Sequence, residues 1–358
     1  TFGGIEFTSR NPFIMKFSST GTFEWGESLV TVNGVDLLLG GGSAVCVDSQ
    51  DNVYIGGNYS AEDGHDDIFV LKLAPNGTVL TARMGGSSSD DYLTDMAINS
   101  DGVFIGGFFG GSKIDLGSDH IEVTQNYSMG YLIKLTHDDQ LLWVRTLNDS
   151  IGSKVSSIAL TDSGEAIVTG WWPSGHIFLS KVSPNGKILF SHGFTHYDPD
   201  GRWSVASNGR DYFLTASLSS ATPGFGRLGY PSAGYRDAAV VKFNEVGYPQ
   251  WLTQGKGDFV DYGRKIAAKG NSIYAGGFFE SGKLFLGDLT LTKFEQQGGD
   301  MFLAKLTDNT PNQCPNVNDF KLKSASNFCQ GDSVQLIIDN PYAAYTRWFR
   351  NGIDIGHT

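Results

Sequence analysis

Short apolar runs that end in one or two glycines recur along the chain, and each precedes a second apolar run with one lysine. NVYIGG at residue 52, GVFIGGFF at 102 and SIYAGGFF at 272 are examples of the first kind. They predict β-strands, because they are short, bounded by turn residues and rich in β-branched and aromatic side chains. The lysines of the second kind recur about every 60 residues, which indicates an internal repeat. They are Lys16, Lys72, Lys134, Lys181, Lys242 and Lys305.

Each repeat predicts four antiparallel strands. A turn and a third strand follow most lysine runs, as in PNGTVLT and PNGKILF, and Asn-Gly between apolar residues is a strong hairpin signal. A fourth strand precedes the next glycine run, as in TDMAINS and SSIALTD. Four-stranded units at this period are typical of a β-propeller. Residues 1–308 are therefore predicted to form an all-β propeller.

The blade number is predicted as six or seven. Six glycine runs and six lysine runs are visible, but the other two strands of the unit occur five times each. Residues upstream of Thr1 could supply the missing strands of a sixth blade or carry a seventh. No helix pattern follows the glycines, so Gly56 and Gly57 are expected to permit close passage of strands rather than to bind phosphate.

The amino-acid composition argues against some classes of binding partner. The 358 residues carry a formal charge of −12, and a pI of about 4.9 argues against nucleic acid and anionic membranes. No apolar run is long enough to span a bilayer. Of three cysteines, Cys46 lies in an alternating strand and is expected to be a buried apolar residue, and none forms a metal-spaced cluster.

The run DIFVLKLAPNGTVLTARMGGSSSDDYLTDMAINSDGVFIGG resembles the bacterial propeller repeat known as SBBP. This resemblance covers residues 1–308 and implies a secreted or outer cell-surface protein of Bacteroidetes-like bacteria. It further implies export by the type IX secretion machinery, whose C-terminal sorting signal would lie beyond Thr358.

The last part of the chain differs from the repeat. NFCQGDSVQLIID followed by YTRWFRNGIDIG resembles the start of an immunoglobulin-like module. Residues 309–318 are then a linker, and residues 319–358 are a β-sandwich cut short, since a complete one needs about 100 residues. Cys329 is left with two alternatives, a disulfide with Cys314 or one with a cysteine beyond Thr358.

Residues that recur in each unit are expected to serve the scaffold. The six lysines occupy equivalent strand positions, and Asp67, Asp237 and Asp300 each precede a lysine by the same offset. We expect an ion pair or a backbone hydrogen bond between blades, with the lysine stem packed on the sheet.

Acidic loops and a histidine pair are the candidates for metal binding. Asp90, Asp91, Asp258 and Asp261 fall in equivalent loops and could hold calcium, although solvated turns are the expected outcome. His192 and His196 lack a third zinc ligand. No cofactor is expected, and no sialidase box, nucleophile elbow or Walker loop is present.

Positions that depart from the repeat are the candidates for binding. Residues 111–130 and 281–300 match each other as inserted hairpins, which would add surface to one rim where loops usually bind. Phe108, Trp171 and Phe278 replace Asn or Ser of other units, so they could stack on sugars or anchor a protein, or pack between blades. Asp149-Ser150-Ile151 resembles a Bacteroidetes O-glycosylation acceptor at Ser150.

These observations favour a non-catalytic, adhesin-like protein whose propeller binds a glycan or a cell-surface protein. One alternative is a propeller enzyme acting on polysaccharide, a lyase or a glycosidase, with an acid–base pair of perturbed pKa. Another is a structural component of a larger cell-surface assembly.

Overall fold

The computed structural model describes most residues up to 309 and short segments beyond. In these ranges every regular element is a β-strand, and no helix that could cross a membrane is found there. The described residues are 12–28, 31–32, 35–36, 41–111, 113–117, 119–122, 129–147, 152–172, 176–194, 203–219, 225, 228, 233–294, 298–309, 321–323, 337–339, 347–350 and 353–357.

Six antiparallel sheets follow one another along the chain. The first pairs β1 (Phe13–Phe17) with β2 (Phe23–Ser28). The second contains β5 (Gly41–Val47), β6 (Val53–Ser60), β7 (Asp66–Leu73) and β8 (Val79–Gly85). The third contains β9 (Asp91–Asn99), β10 (Gly102–Phe109), β13 (Met129–Leu135) and β14 (Leu141–Thr146).

The remaining three sheets keep this order. The fourth contains β15 (Lys154–Leu160), β16 (Ala166–Trp172), β17 (His176–Val182) and β18 (Ile188–Phe194). The fifth contains β19 (Ser204–Ser207), β20 (Tyr212–Ser219), β21 (Arg236–Phe243) and β22 (Pro249–Lys256). The sixth contains β23 (Asp261–Lys269), β24 (Ser272–Phe279) and β27 (Asp300–Thr307).

Five antiparallel strand pairs complete the described strands. Two of them, β11 (Lys113–Leu116) with β12 (Asp119–Glu122) and β25 (Lys283–Leu286) with β26 (Leu289–Thr292), lie inside the third and sixth repeats. The others are β3 (Thr31–Val32) with β4 (Val35–Asp36), β28 (Lys321–Lys323) with β29 (Ile337–Asp339), and β30 (Arg347–Arg350) with β31 (Ile353–His357).

The sheets are arranged as in a β-propeller. From the second sheet to the sixth, the first strand of each sheet contacts the first strand of the next. Apolar clusters fill the space between neighbouring sheets. One joins Ile68 and Val70 of the second sheet to Met96 and Ile133 of the third, and the four are at most 5% exposed. The core is therefore a series of layers between sheets, as the repeated strand pattern predicts.

The glycine pair allows two different close approaches. A Cβ on Gly56 would lie 2.4 Å from the Met96 sulfur, so the first glycine admits a side chain of the next sheet. A Cβ on Gly57 would lie 2.1 Å from the carbonyl oxygen of Gly41, where the register of β5 shifts by a bulge. Both glycines thus serve packing.

The repeated lysines fasten one sheet to the next. Lys134 of the third sheet donates from Nζ to the carbonyl oxygen of Pro184 in a turn of the fourth, at 3.2 Å. Trp143 donates from Nε1 to the same oxygen at 3.0 Å. Equivalent bonds run from Lys16 and Trp25 to the Pro75 carbonyl, from Lys72 to the His137 carbonyl, and from Lys242 and Trp251 to the Asp308 carboxylate.

Two lysines depart from this arrangement. Lys181 forms an ion pair with Glu165 of its own sheet at 2.6 Å, and each of these residues stabilises the charge of the other against burial. Lys305 lies over the Tyr274 ring, 5.6 Å from its centroid. The shared feature of the lysines is thus an amino group held close to an aromatic ring or an oxygen at the sheet boundary.

The inserted hairpins do not lie where we expected. Instead of adding a rim surface, β11–β12 lies against β8, the outer strand of the preceding sheet. Asp115 N–H donates to the Gly86 carbonyl at 2.9 Å, and Gly117 N–H donates to the Met84 carbonyl at 3.0 Å. Arg83, buried, donates to the Leu116 carbonyl at 3.0 Å.

The second inserted hairpin repeats this placement. Strand β25 pairs with β22 through Gly255 and Leu286 and through Lys256 and Phe285, so it extends the fifth sheet. Both hairpins satisfy backbone groups of an outer strand that would otherwise face solvent. The hairpins therefore hold neighbouring sheets together. The sequence pattern alone does not distinguish this structural role from that of a binding loop.

Candidate functional site

The edge at which the fifth and sixth sheets meet carries the strongest candidate site. There the loop before β23 is bonded to the start of β21. Tyr235 N–H and Arg236 N–H donate to the Phe259 carbonyl at 3.0 and 3.3 Å. Arg236 also forms an isolated parallel bridge with Val260. This close junction brings aromatic, basic and acidic side chains together. We call them the rim cluster: Tyr235, Arg236, Asp237, Phe259, Asp261, Tyr262, Arg264 and Phe278.

Two aromatic rings of the rim cluster face solvent. Tyr235 is 70% exposed and Phe259 is 46% exposed, and their rings meet edge to face at 5.6 Å between centroids. Sequence reasoning missed both residues. The available signal was that each aromatic ring closely precedes a repeated aspartate, in GYRD and GDFVD. Together the rings form a preorganised apolar platform with polar neighbours.

Two carboxylates lie buried in the same cluster. Asp237 and Asp261 are both fully buried. Asp237 accepts hydrogen bonds from Ala233 N–H at 2.8 Å and Gly257 N–H at 3.2 Å. Asp261 accepts the Ser281 hydroxyl at 2.8 Å and the Ser281 N–H at 3.2 Å. These bonds position the loops that present Tyr235 and Phe259.

The Asp261 carboxyl has a raised pKa. Burial is the main cause, the hydrogen bonds from Ser281 oppose it, and the nearby negative charge of Asp237 adds to it. The expectation of solvated acidic turns is wrong for this residue and for Asp91, which are both fully buried. Their neighbours Asp90 and Asp258 are exposed. The burial arises where glycine backbone packs on each carboxylate, which the loop composition did not reveal.

Basic groups surround the inner aromatic pair of the rim cluster. Tyr262 and Phe278 stack with centroids 4.6 Å apart. The Arg264 guanidinium lies 4.5 Å from the Tyr262 centroid and 5.1 Å from the Phe278 centroid. The Arg236 guanidinium lies 5.8 Å from the Tyr262 centroid. A phenol ring with two guanidinium groups close to it is a site suited to an anionic ligand.

The predicted binding residues Phe108, Trp171 and Phe278 lie near the ends of β10, β16 and β24, on three different sheets. Each is half-buried. Phe108 stacks on Tyr92 at 4.7 Å and lies under Lys154, whose amino group is 4.1 Å from the ring centroid. Trp171 packs against the apolar layer between the fourth and fifth sheets. Only Phe278 belongs to the rim cluster.

A second acidic pair occurs between the second and third sheets. A Cβ built on Gly86 would collide with both Asp67 Oδ1 and Asp91 Oδ2, so the two carboxylates lie close together on the same side of the Gly86 backbone. Tyr59 donates to Asp67 Oδ2 at 3.3 Å, while Asp67 Oδ1 has no partner among the described residues. Burial, followed by the Asp91 charge, raises the pKa of Asp67 to about 6. Asp300, like Asp67 and Asp237, precedes a repeated lysine by five residues, and its carboxylate accepts a hydrogen bond from the Phe294 N–H.

Asp67 predicts a pH-dependent stability. Its pKa is about 6 in the folded chain against 3.8 ordinarily, so the folded state binds more protons between these values. The free energy of unfolding therefore falls as pH rises through this window. We expect Asp67→Asn to gain about 1 kcal/mol at pH 7, after allowance for solvent screening, and nothing at pH 3. Chemical denaturation at both pH values measures this. An equal gain at both would contradict it.

The other predicted residues divide between described and undescribed parts of the chain. Cys46 is partly buried and has no disulfide partner among the described residues, and burial raises the pKa of its thiol to about 12. His192 stacks between Phe190 and Tyr248. Ser150, His196, Cys314 and Cys329 lie outside the described residues. Within the described ranges, no three His, Cys, Asp or Glu side chains group as a metal site.

Comparisons with known proteins give information on the fold alone. No protein-family model matches the chain, and no curated protein matches it. The Pan2 WD40 domain of Neurospora crassa is similar with a TM-score of 0.33 at 10% identity, over 69% of this chain and 75% of that one. A GH43 endo-arabinanase from Bacillus licheniformis gives 0.30 at 10% identity, over 73% and 92%. The arabinanase Arb43A of Bacillus subtilis gives 0.29 at 12% identity, over 66% and 88%.

These comparisons correct one expectation from the sequence. The expectation of a non-catalytic, adhesin-like protein is wrong, since two of the three similar structures named above are arabinanases. The likeness extends to no individual residue of this chain.

Proposed function

We propose that this protein is an enzyme that acts on a polysaccharide bound at the rim cluster. The observation that carries the proposal is the exposed pair of Tyr235 and Phe259, 5.6 Å apart, beside the stacked Tyr262 and its guanidinium neighbours. Aromatic faces held apart from the core can stack on sugar rings, and adjacent polar groups can fix the orientation of the sugar.

The chemistry of the cluster favours a lyase over a glycosidase. A glycosidase needs two carboxyl groups that flank the glycosidic bond. Asp237 and Asp261 are fully buried and hold loops, so they do not fit that role. A lyase needs a cation that neutralises the carboxylate of a uronic acid and a base that removes the adjacent proton. Arg264 and Tyr262 fit these roles, because guanidinium pairs with carboxylate and tyrosine can act as a general base.

The proposed reaction is a β-elimination. Tyr262 removes the proton from the carbon next to the uronate carboxylate, whose charge Arg264 stabilises. The bond between the sugar carbon and the glycosidic oxygen then breaks and a carbon–carbon double bond forms. The departing oxygen takes up the proton that Tyr262 removed, which restores Tyr262 for the next turnover. Arg236, whose guanidinium lies 5.8 Å from the Tyr262 centroid, places a second positive charge beside the ring whose oxygen accepts the proton.

We also propose finer features of the protein. The sheets form a propeller of six blades, followed by an immunoglobulin-like module in residues 319–358. The protein is secreted or held at the outer cell surface and is exported by the type IX machinery, as its likeness to SBBP repeats implies. Its polysaccharide partner would then be met outside the cell.

The aromatic platform is tested by the release of reducing ends from a panel of uronate-containing and neutral polysaccharides. We expect Tyr235→Ala with Phe259→Ala to raise KM about tenfold, which corresponds to about 1.4 kcal/mol of lost binding. Phe294→Ala is the matched control, because Phe294 is 91% exposed but lies outside the cluster. No release by the wild type from any polymer, or an unchanged KM in the double variant, would refute the proposal.

A further inference from the structure

An apolar face of the sixth sheet lies open to solvent. Met301 is 90% exposed, Leu303 is 77% exposed and Tyr274 is 40% exposed. Their pairing register places them on one face of β24 and β27, since Phe278 is opposite Met301 and Tyr274 is opposite Lys305. A contiguous apolar face of this kind indicates an interaction surface.

The same face is covered in the preceding sheets. In the fifth sheet, the equivalent positions Ala238, Val240 and Phe213 are at most 6% exposed. Val240 and Phe213 pack there against Ile266 and Ile273 of the sixth sheet. The equivalents in the fourth sheet are Ile177, Leu179 and Ile167, all fully buried. The open face is therefore the one that a following sheet covers elsewhere.

The first sheet shows the complementary open face. Phe13 and Phe17 of β1 are 53% and 41% exposed. Their equivalents in the second sheet, Phe69 and Leu73, are fully buried against the sheet before, where Ile14 lies. The first and the sixth sheets thus each leave one apolar face exposed. At every boundary between two neighbouring sheets, the faces equivalent to these two pack against each other.

Lys305 is already placed for such a contact. Its amino group lies 5.6 Å from the Tyr274 centroid, as that of Lys72 lies 5.3 Å from the Tyr54 centroid. Lys72 also donates to the carbonyl of His137 in the next sheet at 2.9 Å. Lys305 thus has the same aromatic contact as Lys72, and the turn of a following sheet would supply the carbonyl acceptor that Lys72 has.

The first sheet contains that turn. Ser18 N–H donates to the Thr22 carbonyl and Gly21 N–H to the Ser18 carbonyl. This repeats the turn around Pro75, whose carbonyl accepts the bond from Lys16 at 3.5 Å. The position equivalent to Pro75 is Ser19.

We propose that the open face of the sixth sheet docks on the first sheet and closes a ring of six, with Lys305 Nζ donating to the Ser19 carbonyl oxygen. The contact continues the interface that joins each sheet to the next. Met301 and Leu303 would pack against the face that includes Phe13 and Phe17. The occupant of the surface is thus residues 13–28 of the same chain.

Crosslinking of the full chain tests this closure. A short bis-maleimide added to Ser19→Cys/Lys305→Cys at low protein concentration should join residues 19 and 305 within one chain, as mapped by mass spectrometry of peptides. Ser19→Cys/Asp288→Cys is the control, with position 288 at the tip of the β25–β26 hairpin, and should give no such link. A 19–305 link only between two chains would assign the face to a second copy and overturn the proposal, as would no link.

A second measurement needs no substitution. Peroxide oxidation of the wild-type chain should modify Met301 as slowly as Met129, which is 4% exposed. Oxidation of Met301 at the rate of a methionine in an unfolded peptide would show that the face is open, and would overturn the proposal even if the cysteine variants failed to fold.

Discussion

Replacement of Lys242 by alanine is expected to lower the free energy of unfolding by about 3–5 kcal/mol. Lys242 is 4% exposed, and its amino group lies 2.9 Å from Asp211 Oδ2 and 2.5 Å from Asp308 Oδ2. Both aspartates are also buried, at 7% and 6% exposure. Removal of the cation leaves two carboxylates in a low-dielectric site, and the positive charge that offset their desolvation is lost. Chemical denaturation of the wild type and the variant measures the difference.

Two companion variants isolate the cause. Lys72→Ala removes an equivalent lysine that is partly exposed and donates to a main-chain carbonyl, so we expect a loss of about 1 kcal/mol. Lys242→Met with Asp211→Asn and Asp308→Asn removes the charges together and should recover most of the stability. If Lys242→Ala costs no more than Lys72→Ala, the buried ion triad does not fasten the fifth sheet to the sixth.

Tyr262→Phe is expected to lower kcat about 10²- to 10⁴-fold on a uronate polymer, with KM little changed. Phenylalanine keeps the ring that stacks on Phe278 at 4.6 Å and lies beside Arg264, so the fold and the platform persist. The variant lacks the phenol oxygen that accepts the proton. Steady-state kinetics, together with a denaturation curve that matches the wild type, provide the measurement.

The chain supplies a matched control for Tyr262. Tyr92 occupies the equivalent position in the third sheet, stacks on Phe108 at 4.7 Å and donates to Asp66 at 3.2 Å. Tyr92→Phe therefore removes a comparable hydroxyl outside the rim cluster, and kcat should be unchanged. Equal losses in the two variants would assign the effect to the scaffold instead of to the reaction.

The strands and their order could be predicted because each strand and turn has a recognisable local sequence pattern. Alternation, glycine pairs and Asn-Gly turns are local signals, and the lysine recurs because most units use it to contact the next sheet. The acceptor of that lysine could not be predicted. For Lys16, Lys72 and Lys134 the acceptor is a main-chain carbonyl in the next sheet, and every residue type has such a carbonyl. For Lys242 it is the carboxylate of Asp308, which is distant in sequence.

The candidate site was predicted only in part. Phe278 was visible as a departure from the repeat, but Tyr235 and Phe259 lie in loops that show no periodicity. Their proximity results from the main-chain bonds of residues 235 and 236 to Phe259. The burial of Asp91 and Asp261 also depends on tertiary packing, since in sequence they resemble ordinary acidic turns.

The most direct test of the proposed function is the ultraviolet absorbance of a polygalacturonate solution incubated with the purified chain. A β-elimination leaves a double bond conjugated with the uronate carboxylate, and this product absorbs where the polymer does not. We predict a steady rise with the wild type and a rise about 10²- to 10⁴-fold slower with Tyr262→Phe. Release of reducing ends without any rise in absorbance would show hydrolysis and contradict the assignment of Tyr262 and Arg264 to a lyase.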